Sequence, residues 1–217
     1  MTYETIMTAV AKTGLSVVGG FHPAHEPDLT CFQTLLLLGP GGPEMWQAFS
    51  AAPEARDSKP DPLERWSTRV IGTIARDFGA TAFYPFGGPP YRPFIRWAAL
   101  GEAASPSPVV MQVTAGRGLW ASYRGALAFA ERLDLPDRDE KSPCGACPRP
   151  CLSACPVDAF ANGGYDVPKC IAHLRTEAGQ TCMNGCLVRH SCPAGARLRL
   201  PEPQRQFHMQ AFLRAHD

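Results

Sequence analysis

Cysteine placement constrains this chain more than any other feature. Of nine cysteines in 217 residues, Cys31 stands alone upstream and the other eight fall between Cys144 and Cys192. That region opens as Cys144-Gly-Ala-Cys147-Pro-Arg-Pro-Cys151-Leu-Ser-Ala-Cys155-Pro156, a C-x2-C-x3-C-x3-C-P spacing. The bacterial ferredoxin run is C-x2-C-x2-C-x3-C-P, and its fourth cysteine serves a different cluster from the first three. Here one residue is added within Pro148-Arg-Pro150. Three thiolates on one short loop can reach three irons of a cubane, and the proline after the fourth turns the chain away. A second half follows with Cys170, the Cys182/Cys186 pair and Cys192-Pro193. Eight thiols and two Cys-Pro dipeptides make the complement for two [4Fe-4S] clusters. The ferredoxin pattern then predicts crossed ligation, with Cys144, Cys147, Cys151 and Cys192 on one cluster and Cys155, Cys170, Cys182 and Cys186 on the other.

Three other readings compete. Paired zinc sites also take four cysteines each, but a zinc ribbon separates two C-x2-C knuckles by about 15–20 residues, whereas four cysteines crowd one loop here. One cluster with four unrelated thiols would follow if the altered spacings spoil a site. Disulfides depend on compartment. The first residues lack a basic stretch followed by an apolar one, so no secretory signal is visible, and the apolar runs are far short of the ~20 residues that span a bilayer. A cytoplasmic location is expected, where thiols stay reduced.

Composition limits the partners. Lys+Arg 21 against Asp+Glu 20 gives a formal charge of +1, so nothing global draws the chain to nucleic acid or an anionic membrane. A hydrophobic share of 45% is enough to build a core. Gly39-Pro-Gly-Gly42 lacks the Gly-Lys-Ser/Thr of a phosphate-binding P-loop, and no G-x-G-x-x-G follows a strand.

Upstream, strand and helix patterns alternate. Residues 2–13 read as a helix, Leu15–Phe21 as a strand, and Leu35–Leu38 as a buried strand closed by glycines and Pro40. Asp61-Pro62-Leu63-Glu64 is a helix start with Asp61 as cap and Glu64 completing a capping box. Leu63, Trp66, Val70, Ile71, Ile74 and Phe78 follow at helical spacing. Thr81–Tyr84 reads as a strand, Phe94–Glu102 as a helix, Val109–Val113 as a strand, and Trp120–Phe129 as either. Pro203–His216 reads as a closing helix. The polar, proline-flanked stretch 135–143 separates an α+β (or α/β) domain at 1–135 from a small, loop-rich, ferredoxin-like iron–sulfur domain at 136–217.

Residues 144–193 resemble the iron–sulfur domain of epoxyqueuosine reductase and of the corrinoid-dependent reductive dehalogenases. The resemblance lies in the quartet Cys144/Cys147/Cys151/Cys155, in Lys169-Cys170-Ile171, and in Cys182/Cys186/Cys192-Pro193. The spacing departs from that family before Cys151 and in the last group. The resemblance implies the same crossed ligation. The first domain is weakly similar to the nitroreductase-related, cobalamin-processing domain, through Tyr84-Pro85-Phe86 and the Trp120–Leu127 segment. The family's catalytic acid maps to no position here.

The cysteine pattern and the resemblance together imply an oxidoreductase of the epoxyqueuosine-reductase-like type. Its two clusters take electrons from a redox partner protein and pass them to a corrinoid, or a flavin as second choice, at the first domain. The expected site lies between the Pro85–Arg92 loop and the Gly118–Gly125 segment, with Tyr91, Trp120 and Arg124 as contacts. Ordinary packing, with Arg124 paired to an acid, is the plainer reading of the same residues. The alternative function is a non-enzymatic electron carrier. Cys31 reads as a buried thiol, His22 and His25 as solvated loop residues or an axial metal ligand, and His173 and His190 as neighbouring or solvent-facing side chains or a replacement for one ligand cysteine.

Overall fold

A computed structural model describes residues 1–137, 141–198 and 200–216. The chain divides into two compact units, Met1–Ala103 with Ser122–Glu140, and Ala104–Ala121 with Lys141–Asp217. The second unit thus takes in residues 104–121, which lie upstream of the 135/136 boundary drawn from the sequence. Part of that proposed linker, 138–140, lies outside the described residues.

The first unit is α+β. Helix α1 (Tyr3–Ala11) starts from a capping box made by Thr2 and Thr5. It leads into β1 (Leu15–Phe21), β2 (Thr34–Pro40), α2 (Glu44–Ala51), α3 (Pro62–Asp77), β3 (Thr81–Phe83), α4 (Phe94–Glu102) and β4 (Gly125–Phe129). The four strands form one sheet in the order β1-β2-β4-β3, and every pairing is antiparallel. This removes the α/β alternative, since a doubly wound fold needs parallel neighbours.

Every residue of β2 is buried, which is what a central strand covered on both faces demands. Leu35 and Leu37 share one core with Ala126, Ala128, Phe94 and Trp97. Leu36 and Leu38 point to the other face by strand alternation, while α3 packs on β3 and β4. Helix α4 comes so close to β1 that a Cβ on Gly19 would collide with the Gly101 carbonyl, so neither backbone could draw in with a larger residue at position 19.

Two sequence readings change here. Asp61 adopts a left-handed conformation before α3 and its side chain caps nothing, although Pro62 does occupy the helix start. Glu64 turns to Arg124 instead. Cys31 is exposed rather than buried, because Leu29 fills the core position and Phe32 packs edge-on against Phe83 at 5.9 Å.

The second unit is loop-rich. A two-residue ladder joins Ser105–Pro106 to Gln112–Val113, so the strand expected over 109–113 shrinks to its end. Turns of 3-10 helix cover Pro150–Leu152, Ala161–Gly163 and Pro193–Leu198. Between and after them come α5 (Val167–Leu174), α6 (Gln180–Met183), α7 (Leu187–His190) and α8 (Glu202–Arg214). Asp166 accepts from the Lys169 backbone N–H at 2.9 Å and so caps α5. The unit's core is assembled on Val109, Val113, Leu119, Phe160 and Val188 with Cys151 and Cys192. Among the described residues, no helix is long and apolar enough to cross a membrane.

Candidate iron–sulfur centre

The loop from Cys144 to Cys155 folds without regular structure except for the turn at Pro150–Leu152, which buries Cys151. Arg149 adopts a left-handed backbone before that turn, and its N–H donates to Cys147 Sγ at 3.4 Å. Cys144, Cys147 and Cys151 line a narrow recess with Cys192, which the chain brings back from the other end of the unit. Helix α5 carries Cys170, α6 carries Cys182, and Cys186 stands at the start of α7. Cys155 joins these three: its charge and that of Cys186 act on both Cys170 and Cys182. The Ala159 N–H donates to Cys155 Sγ at 3.3 Å. The eight thiols therefore fall into two sets of four, the second nested in sequence between Cys151 and Cys192 of the first.

Burial dominates their electrostatics. It pushes the Cys144, Cys151 and Cys170 thiols up from their ordinary value, and neighbouring thiolates add to the rise. Cys182 is pushed up to about 11, first by burial and then by Cys186, Cys155 and Cys170. Four thiols gathered at one partly buried place resist ionising together, and a bound cation centre reverses this by stabilising the thiolates.

The surroundings fit such groups. All nine cysteines are free thiols. No set of three or more His, Cys, Asp or Glu among the described residues converges closely enough to hold a single metal ion. A cubane differs in giving each thiolate its own iron, so its ligands stand apart around a core. Buried side-chain polar atoms without a partner among the described residues also occur in this unit. The Ser107 hydroxyl belongs to the residues lining the Cys144/Cys192 recess. His173 Nε2 lies on α5 three residues after Cys170. Gln204 is fully buried on α8, which packs against α6 and its Cys182, with neither end of its amide satisfied. Buried polar atoms are otherwise nearly always paired.

Two further residues of this unit carry no motif. Tyr165 stacks on Phe160 with ring centroids 4.5 Å apart and planes 9° apart, and its hydroxyl and the Cys170 thiol act on each other electrostatically. Arg189, on α7, donates from Nη1 to the Leu119 carbonyl oxygen at 2.6 Å. His190 meets Trp120 edge-on at 5.1 Å.

The residues expected to hold an organic cofactor are less concentrated. Tyr91 and Arg124 belong to the first unit and Trp120 to the second. Tyr91 is exposed. Arg124 donates to Glu64 Oε1 at 3.2 Å and to Ser67 Oγ at 3.1 Å, and its guanidinium sits over the Phe86 ring. Burial pulls its basicity down and Glu64 opposes that. Trp120 is buried and, among the described residues, its indole N–H has no partner. The sequence did not single out a cavity of about 640 Å³ in the first unit, whose lining includes Phe21, His22, His25, Leu100 and Asp137. His22 is not free there, because its Nε2 bonds the Leu133 carbonyl at 2.9 Å.

No protein-family model matches the sequence, and no curated protein matches it. Among solved structures, the chain is similar to the crystal structure of a selenomethionine-labelled epoxyqueuosine reductase, with a TM-score of 0.50 and 15% sequence identity. The alignment covers 94% of this chain and 68% of that one, and at this identity the likeness is one of fold.

Proposed function

We propose that this chain is an iron–sulfur oxidoreductase of the epoxyqueuosine-reductase-like type, with an acceptor site in the first unit. The observation that carries the reading is that Cys144, Cys147, Cys151 and Cys192 line one recess while Cys155, Cys170, Cys182 and Cys186 act on one another electrostatically. When bound, a [4Fe-4S] cluster at each set supplies one-electron storage at a potential tuned by charge, hydrogen bonds and burial. Cys144, Cys147, Cys151 and Cys192 would hold one, and Cys155, Cys170, Cys182 and Cys186 the other. The backbone N–H groups of Arg149 and Ala159, already aimed at thiol sulfurs, would stabilise the ligated thiolates. Electrons come from a redox partner protein in the cytoplasm.

The fold likeness supports an acceptor site in the first unit, and a corrinoid is the first choice for its occupant, a flavin the second. The cavity at the end of β1 has the size of a small-molecule site and sets Phe21 and Leu100 beside the polar groups of His22, His25, Glu26 and Asp137. Tyr91 and Arg124, in the same unit but outside the lining of this cavity, remain separately proposed contacts.

Metal analysis of protein purified without air tests the cluster reading. About eight iron and eight sulfide per chain are expected, whereas zinc, or about half that iron, would overturn it. Titration with cobalamin and with flavins tests the acceptor site. Binding of either at micromolar concentration, about −8 kcal/mol, is the expected result. If neither binds, the chain is an electron carrier without its own catalytic cofactor.

A further inference from the structure

Among the described residues, buried side-chain polar atoms without a partner belong to Ser107, Trp120, His173 and Gln204. All of these lie in the unit that carries the clustered cysteines, and none in the first unit. Burying a hydroxyl or amide without a partner is costly, so their gathering in one unit points to a group that they are built to meet. Ser107 is the best placed of them. It is buried, and it lines the same narrow recess as Cys144, Cys147, Cys151 and Cys192. A turn fixes its backbone: its N–H donates to the Met111 carbonyl at 2.8 Å, and its carbonyl accepts from the Val110 N–H at 3.0 Å. Both main-chain groups are thus satisfied, and only the hydroxyl is left over. The same hairpin is tied to the ligand loop. Ser105 Oγ donates to Ser142 Oγ at 3.1 Å, and Ser142 Oγ accepts from the Cys144 N–H at 3.4 Å. None of the four thiols bonds the Ser107 hydroxyl, so its acceptor belongs to the group that the recess receives.

A thiolate-ligated cluster becomes more negative on reduction, so a hydrogen-bond donor to its sulfurs stabilises the reduced form and raises the potential. Low local polarity strengthens such a bond. We propose that the Ser107 hydroxyl donates a hydrogen bond to the cluster held by Cys144, Cys147, Cys151 and Cys192 and raises its reduction potential. The acceptor is a sulfur, either a ligating thiolate or a sulfide of the cluster. The hydroxyl keeps its proton and makes no bond to iron. The hairpin from Ser105 to Val113, which carries no cysteine, thereby becomes part of the redox centre. This inference rests on the iron–sulfur reading of the recess and is independent of how the other four thiols are arranged.

Anaerobic redox titration of the full chain, read by electron paramagnetic resonance with iron and sulfide counted on every sample, tests it. The signal concerned is the one that Cys151→Ala abolishes. Ser107→Ala should lower its midpoint by about threefold in equilibrium constant, or about 28 mV at 59 mV per decade for one electron. The other signal should keep its midpoint. Ser107→Thr, which retains the hydroxyl, should stay close to wild type. Midpoints are read from the loaded fraction, so partial loss of iron leaves the comparison intact. A midpoint that stays put in Ser107→Ala, an equal fall in Ser107→Thr, or an equal shift of both signals would overturn the inference. So would Ser107→Ala protein with no cluster at this set, since a tuning hydroxyl is not needed for loading. Wild-type protein with no iron–sulfur signal for Cys151→Ala to remove would instead overturn the function proposed above.

Discussion

Arg124 shows how a buried cation is held in the first unit. Its guanidinium is largely buried, and Glu64 and Ser67 satisfy it. Glu64→Gln leaves that cation without its counter-charge, and a loss of roughly 2 kcal/mol is expected in urea denaturation. Glu54 gives a pH-dependent case. Arg69 grips its carboxylate, with Nη2 donating to Oε2 at 2.9 Å, and that hydrogen bonding holds it below its ordinary value near 4.5. A lowered carboxylate stabilises the fold above its unfolded pKa and loses that contribution as pH falls through the folded value. Thermal midpoints should therefore drop more steeply below about pH 4.5 in wild type than in Glu54→Gln. The cysteines proposed as ligands stand out in the sequence because their spacing is a motif in its own right. Tyr165, Arg189 and Gln204 do not, since their surroundings depend on how the helices pack, and no local pattern encodes that.

The elements were clearest where one face pattern dominated. Leu35–Leu38 reads as a buried strand from its unbroken apolar run, and Leu36 is fully enclosed. Leu36→Ala should cost about 3 kcal/mol in equilibrium unfolding. The 94–102 helix likewise matches its apolar spacing, with Phe94, Trp97 and Ala98 buried. The start of α3 misled because Asp61-Pro-Leu-Glu64 carries every local sign of a capping box, and a distant arginine claimed the glutamate. The 120–129 stretch was ambiguous because it holds a turn, then a five-residue central strand whose two buried faces erase alternation. In the second unit, Gly118 has a positive φ of 53°, and a Cβ there would fall 2.9 Å from Cys192 Sγ. Gly118→Ala should therefore lower iron occupancy and weaken the signal of the Cys192-containing set, as read by metal analysis and electron paramagnetic resonance.

At the scale of the molecule, the uneven cysteine distribution announced two regions, but their boundary was drawn as one cut in sequence. The second unit instead gathers residues 104–121 with the cysteine region. Nothing in composition marks that segment. Its membership follows from Gly118 lying against Gly195 and Cys192 and from the Leu119 carbonyl accepting from Arg189, contacts between residues some seventy positions apart. The nesting of the two thiol sets is central to the proposed function, because each set draws on both halves of the cysteine region. Electron paramagnetic resonance of reduced Cys151→Ala and Cys155→Ala, prepared without air, tests it most directly. The two substitutions sit four residues apart on one loop, yet they should abolish different cluster signals, each leaving the other variant's missing signal intact. Loss of the same signal in both would mean that the loop's cysteines serve one cluster together, and the nested arrangement would be wrong.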